Sequence, residues 1–346
     1  MRRVSYMSIA ILKKSADNPA MITRSLLEPL DRKIVAALQV NARAGWRRIA
    51  AVLDAPERTV AAHGTELVRS RRVRPTYFTV LPQGGVLDGA IASVRCISGM
   101  NRVTATAAAS RNNSVFTYLT TGEADCVFEL MNERAQSLAM LLDEIPGMPG
   151  AAAIDTATIL KLYKGTHQWL PGILEEAQVA ALTDLEQRWE PTGAVELAPL
   201  SREEQAIARV LAADGRATIE ELARATALSP ASARRRLAHL QASGRVFDRA
   251  VVEPAALGFP VEAILRIRTF PGRTESVAMQ LAGVPEVRYL AFTTGRHQLF
   301  VDIACVDHSA LADFLTRADW TEDAVEVDTS IVIQAIKRSG VRMDDA

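Results

Sequence analysis

Apolar residues recur at helical spacing near the start of the chain. Ile34, Leu38, Ile49, Ala50 and Leu67 fall where three short amphipathic helices would place them. An extended stretch follows at Val73–Leu81. Beyond it, strands are predicted at Ala90–Ile97, Ser114–Thr121, Cys126–Leu130 and Ala153–Tyr163, with helices at Arg102–Ser110 and Ala135–Ile145. The order βαββαβ predicts a ferredoxin-like sheet with helices on one face. The bare face and the edges of such a sheet need a partner.

The same pattern returns 173 residues later without a gap. Leu38 falls on Leu211, Arg43 on Arg216, Ala50 on Ala223, Leu67 on Leu240, and Arg72-Val73 on Arg245-Val246. Only eight of the 36 positions from Leu38 to Val73 are identical, but one offset holds as far as Lys164 over Lys337. A constant register over that length marks an internal repeat. The second set of strands is predicted at Val246–Glu253, Glu262–Phe270, Val287–Thr294, Leu299–Cys305 and Ala324–Ile336. Its helices are predicted at Glu275–Ala282 and Ser309–Ala318, and the bare face of each sheet has the other copy available to cover it.

The fold expected is therefore α+β: two tandem copies of a winged, three-helix helix-turn-helix followed by a βαββαβ sensing domain. The divisions are a loosely ordered extension 1–26, helix-turn-helix units 27–75 and 200–250, sensing domains 76–164 and 251–346, and an acidic, partly helical linker 165–199.

Of the 346 residues, 49% are hydrophobic and 23% charged, the make-up of an ordinary globular chain. No apolar run approaches the length of a membrane span, and no cleavage site follows the short apolar stretch near Tyr6–Leu12. Cys96, Cys126 and Cys305 show neither paired nor metal-like spacing, which favours a reducing, cytoplasmic setting. Net charge is zero but unevenly spread. Leu27–Pro75 holds ten Lys/Arg against five Asp/Glu, and Leu200–Ala250 nine Arg against six acids. Gly165–Pro199 holds six acids and one Arg. Two basic modules around an acidic connector suit a protein that binds double-stranded DNA.

Ser229 before Pro230 is a helix N-cap with proline at the first helical position. The helix that follows carries Arg234-Arg-Arg236. Consecutive helical residues diverge by about 100°, so one or two of these arginines face a groove and the rest meet phosphate. Copy one has Ala61, Ala62 and His63 at those positions, and Gly64 where copy two has Leu237. A mid-helix glycine costs about 1 kcal/mol, so the first recognition helix is expected to be degenerate, its basic charge displaced to Arg47-Arg48 and Arg69-Ser-Arg-Arg72. Candidate DNA contacts are Ser229, Ser232, Arg234, Arg235, Arg236 and Arg245 in copy two, with Arg47, Arg48, Arg58 and Thr59 in copy one.

Thr120-Thr-Gly122 and Thr293-Thr-Gly295 read as tight corners in which glycine supplies a positive φ. Their hydroxyls and amides, with Asp125 and His297 just beyond, are candidate groups for holding a small effector between the sensing domains. Glu123 and Asp125 against Arg296 and His297 would put opposite charges at two rims, as a zwitterion requires.

A trihelical unit that feeds through a strand into βαββαβ resembles the Lrp/AsnC family of feast/famine regulators. Asp31-Arg-Lys-Ile34, Asn41-Ala-Arg43, Ala213-Asp-Gly-Arg216, Glu221-Leu-Ala223, Ser229–Leu237 and Ser243-Gly-Arg-Val246 carry the resemblance. It covers nearly the whole chain and is similar to the tandem, double-length members. It implies a transcriptional regulator, not an enzyme, that binds an amino acid or related metabolite and pairs its sensing domains sheet to sheet. A homo-oligomer of at least two chains is expected, since only copy two supplies a good reading head. No cofactor, metal site or catalytic residue is expected, because the five histidines are scattered and no phosphate loop or nucleophile–base pair is present. Two alternatives use the same fold: an AsnC-like sirohaem decarboxylase, for which only His297 is suitably placed, and an effector-binding scaffold that has abandoned DNA.

Overall fold

The computed structural model describes residues 25–79, 87–133, 139–183 and 200–343. Residues 1–24 of the expected extension and 184–199 of the linker lie outside the described residues.

The first trihelical unit consists of α1 (Pro29–Val40), α2 (Trp46–Val52) and α3 (Glu57–Arg69), followed by β1 (Arg74–Thr79). The second has α6 (Arg202–Ala213), α7 (Ile219–Thr226) and α8 (Pro230–Ala242), followed by β6 (Val246–Val251). Local chemistry starts every helix of the second unit. Ser201 and Glu204 form a capping box on α6, Thr218 and Glu221 one on α7, and the Ser229 hydroxyl accepts the Ser232 amide on α8. No helix of the first unit has a side-chain cap. That unit is held from outside instead. The start of the linker, with α5 (Glu176–Leu182), folds over it and buries Trp169, Leu174 and Leu182 in its core. This part of the linker is integral to the first unit.

The two units exchange their strands. β1 and β6 pair antiparallel from Arg74 opposite Val251 to Thr79 opposite Val246. Tyr77 of β1 is buried in the core of the second unit, and Val252, just after β6, in that of the first. Arg43 donates to the carbonyls of Gly215 (2.8 Å) and Ala217 (2.9 Å), while Arg216 donates to those of Ala42 (2.8 Å) and Ala44 (3.1 Å). These arginines occupy matching positions, so the contact is reciprocal about a pseudo-twofold axis.

The remaining strands form one closed layer. In chain order they are β2 (Leu87–Cys96), β3 (Ser114–Thr120), β4 (Cys126–Glu133) and β5 (Ala151–Lys164), then β7 (Val261–Thr269), β8 (Val287–Thr293), β9 (Leu299–Cys305) and β10 (Ala324–Arg338), with β11 (Val341–Arg342) as a short edge. Their spatial order runs β3-β4-β2-β5-β8-β9-β7-β10, and β10 pairs back onto β3. Closure removes the open edges that an isolated four-stranded sheet would expose. α4 (Asn101–Ala109) covers one half of the barrel, and α10 (Thr274–Ala282) with α11 (His308–Leu315) covers the other. A short α9 (Pro254–Leu257) and α12 (Ala318–Thr321) complete the described helices. Of the helix expected at Ala135–Ile145, residues 135–138 lie outside the described set and Met140–Glu144 is π-helical.

The two bare sheet faces meet inside the barrel. Phe116, Tyr118, Tyr289 and Phe300 fill its middle, with ring centroids 4.8 to 6.1 Å apart. Below them lies a buried ionic network. Arg288 bridges Glu262 and Asp302, Arg338 bridges Glu262 and Glu253, and the Tyr118 hydroxyl donates to Asp302 (3.2 Å). Burial pushes the Glu262 carboxyl up, but Arg338 and Arg288 more than offset this and hold it below the usual range.

Candidate nucleic-acid interface and effector site

On α8 the buried face is Ala233, Leu237 and Leu240, so the neighbouring positions point outward. Arg234 and Arg235 stand exposed beside the Ser229 cap. Arg236 does not join them. One turn of helix geometry aims it at the start of α6, where it reaches the Ser201 hydroxyl (3.4 Å) and the Glu204 carboxylate (3.8 Å). Arg245 is also displaced from the expected interface: it is only 8% exposed, held down where the chain turns into β6. Ser232 is half-buried and closes the cap, its hydroxyl 3.0 Å from that of Ser229.

On the first unit, Arg47, Arg58 and Thr59 are exposed. Arg48 is engaged instead, donating twice to the Ala181 carbonyl at the end of α5 (3.1 and 2.8 Å). Arg69 pairs with Glu66, and His63 lies 2.6 Å from Asp31.

The expected defect at Gly64 is not a defect. A Cβ there would collide with the Trp46 ring, so the indole occupies the space that a side chain would take. The matching pair in the second unit is Ile219 and Leu237. A large residue at the start of the second helix and none on the third replaces two medium ones, which conserves volume. The Arg216 guanidinium then stacks on the indole, 4.2 Å from the ring. The first recognition helix is repacked, with its core contact restored by tryptophan.

The Thr-Thr-Gly corners have the expected backbone, with φ of +89° at Gly122 and +101° at Gly295. Their hydroxyls are committed to the fold. Thr121 Oγ1 accepts the Ile331 amide (2.9 Å), and Thr294 Oγ1 accepts the Thr158 amide (2.9 Å). Each amide answers: Thr121 N–H donates to Ile331 O, and Thr294 N–H to Thr158 O. Thr120 and Thr293 donate within their own turns, to Ala124 O (2.7 Å) and His297 O (3.1 Å). The corners therefore staple the two barrel seams, β3 to β10 and β8 to β5. Those seams lie four strands apart, so the corners do not converge on one pocket as expected.

Asp125 is likewise structural, accepting the Cys96 amide (2.7 Å) and the Asn101 side chain (3.3 Å). Arg296 bonds Glu326 (2.6 Å), with His297 Nε2 3.9 Å from the same carboxylate. Burial lowers the His297 pKa, with Glu326 acting in the opposite sense.

Polar groups of both halves meet at the barrel mouth instead. Arg266 on β7 donates to Asp328 (2.8 Å) and Ser330 (3.2 Å) of its own half, and across the interior to Ser93 on β2 (3.3 Å). Ser93 and Arg266 are matching positions of the repeat, so this contact lies on the pseudo-twofold axis. The sequence reading did not single out this pairing, and the one signal that could have found it is that the 173-residue offset sets the two positions over each other.

Comparison with known proteins finds family matches in the second half of the chain. Residues 204–241 match the AsnC-type helix-turn-helix domain, and residues 262–341 the Lrp/AsnC ligand binding domain. The chain is 28% identical over 142 residues to the HTH-type transcriptional regulator FL11 of Pyrococcus horikoshii, which covers 41% of this chain and 94% of that protein. It is 29% identical over 134 residues to FL11 of Pyrococcus furiosus, covering 38% and 89%. Among solved structures, the siroheme decarboxylase NirDL superposes over 91% of this chain and 94% of its own, with a TM-score of 0.55 and 14% identity, a likeness of fold. No helix among the described residues is long and apolar enough to cross a membrane. The two family matches, to a helix-turn-helix domain of the AsnC type and to the Lrp/AsnC ligand binding domain, thus fall on residues 204–241 and 262–341 of this chain.

Proposed function

We propose that the chain is two fused Lrp/AsnC-type copies acting as a sequence-specific DNA-binding transcriptional regulator. The observation that carries this reading is the α8 helix: Arg234 and Arg235 exposed on a capped recognition helix within an AsnC-type helix-turn-helix. Fusion is supported by the matched order of elements, the reciprocal Arg43 and Arg216 contacts, and nearly the whole of a single-copy regulator matching two fifths of this chain. The pairing that single-copy proteins need two chains to reach is met here inside one, so a pair of reading heads does not by itself require a second chain.

The effector, an amino acid or related metabolite, is best accommodated at the barrel mouth. Arg266 and Asp328 there pair with each other, so a zwitterion would enter by parting them and taking one charge at each of its ends, with Ser93 contributed by the other sensing domain. A ligand that changed how Arg266 spans the halves would bias the attached helix-turn-helix pair.

A tetrapyrrole-decarboxylating reading has the fold likeness to NirDL in its favour. Against it, the barrel middle is filled by four packed rings, and the arginines below them are committed to carboxylates. The regulator reading is tested by titrating full-length protein onto DNA from its own upstream region across a salt series. Wild type should bind with a steep salt dependence, and Arg234→Ala/Arg235→Ala should lower the log–log slope by about 0.9 for each phosphate that is no longer neutralised. Absence of binding at moderate salt would remove the reading.

A further inference from the structure

We propose that one chain reads a non-palindromic site, with α3 and α8 each facing its own, chemically different half. This rests on the DNA-binding reading above. The two units are locked as a pair by the β1–β6 ribbon and the reciprocal Arg43 and Arg216 contacts. The pseudo-twofold axis that relates them therefore relates their recognition helices. In a symmetric dimer that arrangement dictates two like half-sites, because operator symmetry follows protein symmetry. Here the backbone keeps the symmetry and the side chains break it.

On α8 the outward arginines stand one turn into the helix, at Arg234 and Arg235. The matching positions on α3 are Ala61 and Ala62, and the outward base has moved three residues earlier, to Arg58, where α8 has Ala231. Arginine pairs bidentately with guanine in the major groove, whereas an alanine methyl suits the thymine methyl. The second helices also differ, with Arg47 exposed at the start of α2 and Glu220 exposed at the same place on α7. The first unit is thus better furnished to hold phosphate beside its half-site, and the second to read guanine in its own. Trp46 packed against Gly64 shows that the first unit keeps a filled core beneath this altered surface.

The test is selection of bound sequences from a random DNA pool by the full-length chain, by Arg234→Ala/Arg235→Ala and by Arg58→Ala. All three substituted side chains are exposed, so the melting temperature should not change. Wild type should enrich two unlike half-sites, centred about one helical turn or a multiple of it apart. The α8 variant should erase preference in one half by about tenfold or more at the affected position, while Arg58→Ala should weaken binding about equally for all sequences and lower its salt dependence. A palindromic selected site, or both variants erasing the same half, would overturn the proposal while leaving DNA binding intact. Failure to enrich any sequence would overturn the DNA-binding reading itself, and the proposal with it.

Discussion

The two helix-turn-helix units reach one shape by different means. The second is specified locally, with side-chain caps at Ser201, Thr218 and Ser229 starting its three helices. Each such cap contributes about 1 kcal/mol. The first has none of these, and its stability comes from tertiary packing: Trp169, Leu174 and Leu182 of the linker from outside, and Trp46 set against Gly64 within the unit. A unit that looks decayed when judged by local rules is a unit whose support has moved elsewhere. Its fold should therefore be sensitive to tertiary changes that the second unit tolerates.

The strongest way to break this comparison is at Gly64. Gly64→Leu places a side chain into the Trp46 ring and should destabilise the chain by about 3 kcal/mol, the upper range for overpacking. Trp46→Ile/Gly64→Leu, which transplants the Ile219 and Leu237 pair, should recover most of that loss in a denaturant titration. If the double variant is no better than the single one, the two residues are not a compensating pair.

The reciprocal arginines sharpen the comparison next. Arg43→Ala should cost about 1 kcal/mol for the removal of its two bonds to carbonyls. Arg216→Ala removes equivalent bonds and also the stack on the Trp46 face, so about 2 kcal/mol is expected. Equal losses would mean that the stack on Trp46 contributes nothing.

The barrel halves offer a third, smaller difference. Glu129 and Asp302 occupy matching positions, but Asp302 is bridged by Arg288 and bonded by Tyr118, while Glu129 keeps one buried oxygen without a hydrogen-bond partner. Burial raises the Glu129 carboxyl from 4.5 to about 8, with Tyr289 and then Arg249 opposing. The folded chain then holds a proton that the unfolded chain has released. The stability this contributes is fully present below pH 4.5 and is lost as pH rises through about 8. The melting temperature of wild type should fall between pH 6 and pH 8.5, and that of Glu129→Gln should fall less. Parallel curves would show that Glu129 does not carry this dependence.

Features that repeat or act locally were legible in the sequence. The constant offset put like elements at matching positions, the Ser229 cap fixed the start of α8, and the turn glycines marked the corners. Arg234 and Arg235 could be read from the helix alone. Arg236 could not, because its direction is decided by Ser201 and Glu204, which are remote in sequence. Arg245 and Arg48 were misplaced for the same reason. The threonine hydroxyls suggested a ligand, but residue type does not reveal that the opposite copy's last strand takes them up. Strand closure into a barrel turns rim residues into seams, and only the pairing register shows which ones.

The central claim is that the two copies pair with each other inside one chain. Ile159 on β5 lies opposite Thr293 on β8 across a seam, and facing residues of paired strands are close enough for a disulfide. Ile159→Cys/Thr293→Cys should be oxidised at low protein concentration and run on a non-reducing denaturing gel. The account predicts a single species at the mass of one chain, with the cross-link reversed by reductant. A product at twice that mass would show the copies pairing between chains and would contradict the account.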